Sequence, residues 1–232
     1  MGASRNLVLT LSVGDRPWFP RLRPYMEAYA RRWGADFEAV MQSPGEPCAD
    51  GMACRREKID AIHRATAQYD RVLYLDDTIF IRPDAPILEG PPADDAKPPI
   101  WATLETHHPR GMALLYAALQ YYEVPRRSWT LLNSGVMLVR AAHHPMFDLA
   151  QAKPMKKFGY FADQLWINVM QQKHAFPVHD LGPRFNFVGS FLTGKVPAPV
   201  QADEAHFFHI TRAVGDAPAR LRLLEALVQQ FG

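Results

Sequence analysis

Residues 7–13, LVLTLSV, carry apolar or β-branched side chains at nearly every position and stop at Gly14. A strand with one face in water alternates apolar and polar residues. An unbroken run instead marks a strand covered on both faces, the usual state of strands in parallel sheets flanked by helices. The residues that follow fit that frame. Trp18, Leu22, Tyr25 and Tyr29 recur at helical spacing within 17–33, with Arg21, Arg23, Glu27 and Arg31 between them and Gly34 as the stop. Residues 36–40, DFEAV, read as a second strand. A loop with Pro44, Gly45, Pro47 and Gly51 leads to a predicted helix over 54–68 and a third strand over 71–76. Strand–helix–strand–helix–strand order predicts an α/β fold with parallel strands.

Beyond it, strands are predicted at 79–82, 100–105, 131–140, 176–181 and 206–210. Helices are predicted at 111–123 and 162–173. The last helix, 216–231, carries a Leu221, Leu224, Leu227, Val228 stripe. No repeat, low-complexity tract or linker divides the 232 residues, so one domain over 1–232 is expected.

A chain of this length that is 48% hydrophobic can bury one good core. A net charge of +2 with 22% charged residues is too balanced for bulk nucleic-acid binding, although a local basic patch can hold an anion. Cys48 and Cys54 match neither a zinc-ligand nor a redox spacing and read as thiols in a reducing compartment. The first residues lack a signal-peptide core and a span of about 20 apolar residues, and Asn6 breaks the myristoylation pattern. A soluble, cytoplasmic protein without a membrane span is expected.

Chemistry concentrates at YDRVLYLDDTIFI, residues 69–81, where an apolar strand runs into Asp76, Asp77 and Thr78. Ligands of open α/β sheets bind at the carboxyl ends of the strands. In an extended chain Asp76 and Thr78 share a face while Asp77 points away, unless a sharp turn brings it in. Carboxylates here suit a hard divalent cation held together with substrate phosphates; a capped turn is the plainer alternative. Arg55, Arg56 and Lys58 fall in the first turn of the helix predicted over 54–68. The helix dipole disfavours cations there, and a nearby diphosphate would offset that; otherwise they form a solvated basic face.

The longer segment YDRVLYLDDTIFIRPD resembles the metal-site segment of GT-A glycosyltransferases, above all glycosyltransferase family 8, the glycogenin and bacterial galactosyltransferase group. That pattern reads Tyr-Leu-Asp-x-Asp. Asp76 falls on its first aspartate, Thr78 on its second, and Asp77 on the variable position. LNSGVMLV (132–139) resembles the family's Asn-Ala/Ser-Gly-Val segment and places Asn133 on the donor sugar. ADQ (162–164) resembles the Asp-Gln pair near the reacting carbon, giving Asp163 and Gln164. FFHITR (207–212) resembles the segment that supplies a histidine metal ligand, His209, with Arg212 where glycine is usual. LGPRFNF (181–187) is a weaker match to a Leu-Pro-x-x-x-Asn segment. Small viral GT-A transferases are similar in size.

The resemblance implies a single GT-A (Rossmann-like) α/β domain whose mostly parallel central sheet is flanked by helices. Residues 5–105 would hold the nucleotide, 106–212 the sugar and acceptor, and 216–231 a closing helix. It implies Mn²⁺ or Mg²⁺ at Asp76, Thr78 and His209. Thr10, Ser12, Val13, Gly14, Arg55, Lys58, Asp76, Asp77 and Asn133 would bind a nucleotide-sugar donor, expected to be a UDP-sugar. The second substrate would be a glycan or other hydroxyl acceptor. Asp163 would act as base if the reaction inverts; Asp163 or Gln164 would stabilise an oxocarbenium-like state if it retains. His107, His108, Trp129, His143 and His144 are assigned to loops, with an acceptor role open to 106–110. Thr78 leaves a second reading, a non-catalytic GT-A-like binding module. A dinucleotide oxidoreductase is disfavoured, because SVGDRPWF stands where G-x-G-x-x-G is required.

Overall fold

The structure, a computed structural model, describes residues 4–41, 51–90, 97–105, 109–153 and 156–232. Its strands are β1 (Asn6–Leu11), β2 (Asp36–Val40), β3 (Arg71–Asp76), β4 (Ile79–Ile81), β5 (Ile100–Leu104), β6 (Leu132–Arg140), β7 (Val178–Asp180), β8 (Phe187–Val188) and β9 (Phe207–His209). Its α-helices are α1 (Phe19–Trp33), α2 (Gly51–Thr66), α3 (Pro109–Tyr122), α4 (Ala162–His174), the single turn α5 (Gly189–Leu192) and α6 (Ala217–Phe231).

Six strands form the central sheet in the order β2-β1-β3-β6-β5-β7. β1 pairs in parallel with β2 and β3, and β5 with β7, while β6 runs antiparallel to both of its neighbours. All strands but β6 therefore share one direction, and the sheet is mostly parallel. The alternation of side chains along each strand divides the apolar runs between two layers. Leu7, Leu9, Val72, Tyr74, Met137 and Val139 face one way, against a layer that includes Ile59 and Ile62 of α2 and Leu165 and Trp166 of α4. Val8, Leu73, Leu75, Val136 and Leu138 face the other, with Leu22 and Met26 of α1 and Leu224 and Leu227 of α6. Covering on both faces is why LVLTLSV shows no polar alternation.

β1 stops two residues before the predicted 7–13 boundary. Ser12 N–H still donates to the Val40 carbonyl at 2.9 Å, and the chain then turns at Gly14 with φ 84°. Gly34 closes α1 at φ 65°, where a side chain would be strained. α2 begins at Gly51, three residues ahead of the predicted start. Arg55, Arg56 and Lys58 thus lie beyond the first turn, and the expected conflict with the helix dipole does not arise there. Cys48, His107 and His108 lie outside the described residues.

Periodicity did not foretell a second, three-stranded sheet, β4-β9-β8. β4 pairs antiparallel with β9, placing Ile79 opposite His209. β3 and β4 are separated only by Asp77 and Thr78, so this pairing fixes what stands beside the end of β3.

Candidate active site

The site forms where β3 leaves the central sheet. The chain turns at Asp77 and Thr78, and Ile210 N–H donates to the Thr78 carbonyl at 3.0 Å. That register delivers His209 to Asp76, with Nε2 3.4 Å from Oδ2. The turn also corrects the strict alternation expected from an extended chain. Asp76, Asp77 and Thr78 all line one cavity of about 370 Å³.

Lys58 reaches the same point from α2. Its ammonium lies 3.1 Å from Asp76 Oδ1, 2.9 Å from Ser134 Oγ and 3.2 Å from Asp163 Oδ2. Burial works against its charge, but Asp76 and Asp163 outweigh that and raise its pKa. Burial pushes the Asp76 carboxyl up, yet Lys58 and then His209 hold it well below the usual carboxylate range. Tyr74 donates its hydroxyl to Asp76 Oδ1 at 3.1 Å, and burial beside Asp76 pushes its own pKa well up. Asp77 behaves differently. Burial drives its pKa up to about 6, with Asp76 adding to the rise; Arg16 at 3.2 Å, and Ser12 and Trp18 nearby, pull it back. Arg55 stands 3.8 Å from Asp163.

A chain of amides sets the orientation of His209. Gly135 N–H can only donate, and it donates to Asn133 Oδ1 at 2.8 Å. Asn133 Nδ2 therefore donates to Glu105 Oε1 at 2.6 Å, and Asn186 Nδ2 donates to Asn133 Oδ1 at 2.9 Å. Asn186 Oδ1 is left to accept from His209 Nδ1 at 3.0 Å. Nε2 is thereby turned to the Asp76 carboxylate: carrying a proton it donates there and helps to keep Asp76 ionised, and without one it presents a lone pair beside the carboxylate, a place a cation can take. Among the described residues no group of three or more His, Cys, Asp or Glu side chains is arranged as a metal site. Asp76 and His209 are a pair, which suits a cation whose other ligands come from substrate phosphates. On that chemistry the residues present fit Mn²⁺ or Mg²⁺.

Of the residues the resemblance marks, Asp76, Asp77, Thr78, Lys58, Arg55, Asn133, Asp163, Gln164 and His209 line the cavity. Thr10, Ser12, Val13 and Gly14 do not. Thr10 points to the Val8 face of the sheet and is fully buried, and Ser12 is buried near Asp77. Leu11, Arg16 and Trp18 form the wall instead. His143 and His144 lie in a 3-10 segment, Ala141–Phe147, which corrects their assignment to a loop. His143 is wholly buried, and His144 stacks on His63 at 3.9 Å. Trp129 is exposed, with Arg126 3.4 Å from its ring centroid. Glu105 and Arg220 are not singled out by the sequence, whereas Ser134, Gly135 and Asn186 fall within the segments LNSGVMLV and LGPRFNF but gain no role of their own there. Glu105 carried one signal, an acidic residue just past a strand that points the same way as β3.

No protein-family model matches the chain, and no curated protein matches it by sequence. The fold does match solved structures. A glycosyltransferase involved in the glycosylation of the major capsid of PBCV-1 superposes with a TM-score of 0.62 at 17% identity, covering 95% of this chain and 99% of that one. The bifunctional glycosyltransferase WbbM gives 0.55 at 10% identity, over 90% of this chain but only 46% of its own. Mouse xyloside xylosyltransferase 1 gives 0.51 at 12% identity, over 93% and 98%. The chain has a GT-A-like glycosyltransferase fold; these likenesses do not single out family 8. Among the described residues no helix is long and apolar enough to cross a membrane.

Proposed function

We propose that this protein transfers a sugar from a nucleoside-diphosphate donor, a UDP-sugar, to an acceptor hydroxyl on a glycan or other molecule. One observation carries the reading. Asp76, His209, Lys58 and Asp163, from four separate elements, meet in a cleft also lined by Arg16, Arg55, Arg212 and Arg220. A diphosphate suits such a cleft, because guanidinium forks bind phosphate oxygens and an ammonium neutralises them. Mn²⁺ or Mg²⁺, held by Asp76 and His209 beside Thr78, would stabilise charge on the departing diphosphate. Lys58 brings a second, fixed positive charge to the same place. Asp163 and Gln164 face the cleft from the start of α4. Asp163, 3.2 Å from the Lys58 ammonium, is placed for electrostatic stabilisation of the transition state. A cytoplasmic setting, where thiols stay reduced, suits this reading.

A second reading, a non-catalytic nucleotide- or sugar-binding module, draws on Thr78 and on the engagement of Asp76 Oδ1 by both Lys58 and Tyr74. Calorimetry with UDP, with and without Mn²⁺, separates the two, together with donor-hydrolysis assays on a panel of nucleotide sugars. Transfer predicts metal-enhanced UDP binding that Asp76→Ala abolishes, and slow hydrolysis of at least one donor. UDP binding indifferent to metal, with no donor consumed, selects the binding module.

A further inference from the structure

Beside the main cleft lies a second cavity of about 150 Å³. The two share Glu105, Asn133 and Val188 in their walls, so they meet at Glu105. Their charge differs. Five Arg or Lys side chains and four carboxylates line the main cleft, whereas Glu105 and Asp180 are the only charged residues among those lining the small cavity, which has no lining cation.

We propose that the small cavity is the acceptor subsite and takes one uncharged, hydroxyl-bearing pyranose ring. The proposal rests on the transferase reading above. An engineered cavity of about 150 Å³ encloses benzene, so the chamber takes one six-membered ring and no second, with the exocyclic groups of a pyranose directed to the opening onto the main cleft. Hydrogen-bond acceptors are supplied for its hydroxyls. Asn133 and Gln164 donate to Glu105 at 2.6 and 3.0 Å, which orients the carboxylate and uses two of its roughly four lone-pair sites. Asp180 Oδ1 accepts from Leu104 and Gly182 N–H groups at 3.1 and 2.9 Å, and Oδ2 stays available to a ligand. Phe191, Pro183 and Pro199 offer apolar surface for the C–H face of a sugar. Two carboxylates without a lining cation disfavour an acidic sugar. A donor sugar is tethered to its diphosphate, which the Arg and Lys side chains draw to the main cleft. The acceptor needs its own chamber opening onto that cleft, and Glu105 stands at the opening.

The test uses the full chain with UDP present. Methyl glycosides of galactose, glucose and mannose are compared with a methyl glucuronide by saturation-transfer NMR. At least one neutral glycoside is expected to bind and the glucuronide not to. Phe191→Trp, which fills the cavity, should weaken that binding at least about tenfold. Asp180→Asn keeps the shape and should weaken the neutral glycoside while admitting the glucuronide. Melting curves check that both variants are folded, and their affinities for UDP and for a UDP-sugar are measured in parallel. Glycoside binding that ignores both variants, no glycoside binding at all, or a glucuronide that binds wild type as well as a neutral glycoside overturns the proposal. So does a loss of UDP-sugar affinity with UDP affinity retained, because that puts the donor sugar in the cavity. A wild-type chain that fails to bind UDP defeats the transferase reading itself, a result distinct from all of these.

Discussion

Gly135 has no side chain, and the pairing of Asp76 with His209 depends on that. A β-carbon at this position would press on His209 Cε1 and lie 2.7 Å from Nδ1 and 3.0 Å from Asn133 Oδ1. The backbone there is not in the left-handed region, so alanine is excluded by its neighbours and not by φ. The Gly135 N–H also fixes the amide chain that orients His209. Gly135→Ala should therefore swing the imidazole away from Asp76. The expected result is at least about a tenfold loss of Mn²⁺-enhanced UDP affinity by calorimetry, with a stability cost of about 1–3 kcal/mol for overpacking. Unchanged UDP affinity in the presence of Mn²⁺ would show that His209 plays no part in the site.

At the scale of elements, His143 joins the end of β6 to the approach to β5. Arg140 N–H donates to its Nδ1 at 2.8 Å, so Nε2 carries the proton and meets the Pro98 carbonyl at 2.8 Å. Burial pushes the His143 pKa down from 6.5 to about 4, the Pro98 carbonyl resisting and Arg140 adding to the fall. The unfolded chain then binds the proton more readily than the folded one. Stability is full above about pH 6.5, falls as pH drops toward about 4, and levels off below, a loss of order 3 kcal/mol from this group. Urea titrations across that range should show the acid limb, and His143→Gln should flatten it; an equal limb in the variant would assign it to other groups. The same element shows what sequence reading can and cannot reach. The apolar run of β6 and its Asn133-Ser134-Gly135 start are local patterns, and the residues themselves display them. The burial of His143 is not, because its partner Pro98 is 45 residues away. His209 is similar: a three-residue strand says nothing of its pairing with β4, and only the resemblance pointed to it. Lys58 was legible as a cation on a helix, but not as the ammonium between Asp76 and Asp163. That Thr10, Ser12, Val13 and Gly14 stay out of the cavity wall has the same cause, since the turn at Gly14 carries Arg16 and Trp18 into it in their stead.

At the scale of the whole molecule, α6 belongs to both the core and the site. Leu224 and Leu227 are buried in the layer that covers Val136 and Leu138, and Phe231 stacks on Phe208 with ring centroids 5.3 Å apart. One turn earlier on the same face, Arg220 lies over the Trp18 ring at 4.1 Å and reaches the wall of the main cavity. One element thus serves both the core and the cavity wall, and two variants separate the roles. Removal of residues 216–232 takes away Leu224, Leu227 and the Phe231 ring that covers Phe208, at roughly 1.5–3 kcal/mol for each large side chain lost from the core or left without cover. It should lower the melting temperature by about 10 °C or more and promote dye binding to exposed apolar surface. Arg220→Gln leaves the Leu224 and Leu227 stripe in place. It should melt within a few degrees of wild type, because a cation–π contact of this kind contributes only about 0.5–2 kcal/mol. If Arg220 meets the diphosphate, the variant should still bind UDP about tenfold more weakly, and the salt dependence of binding should become shallower. Wild-type UDP affinity in Arg220→Gln would confine α6 to covering the core and leave the diphosphate to Lys58, Arg16, Arg55 and Arg212.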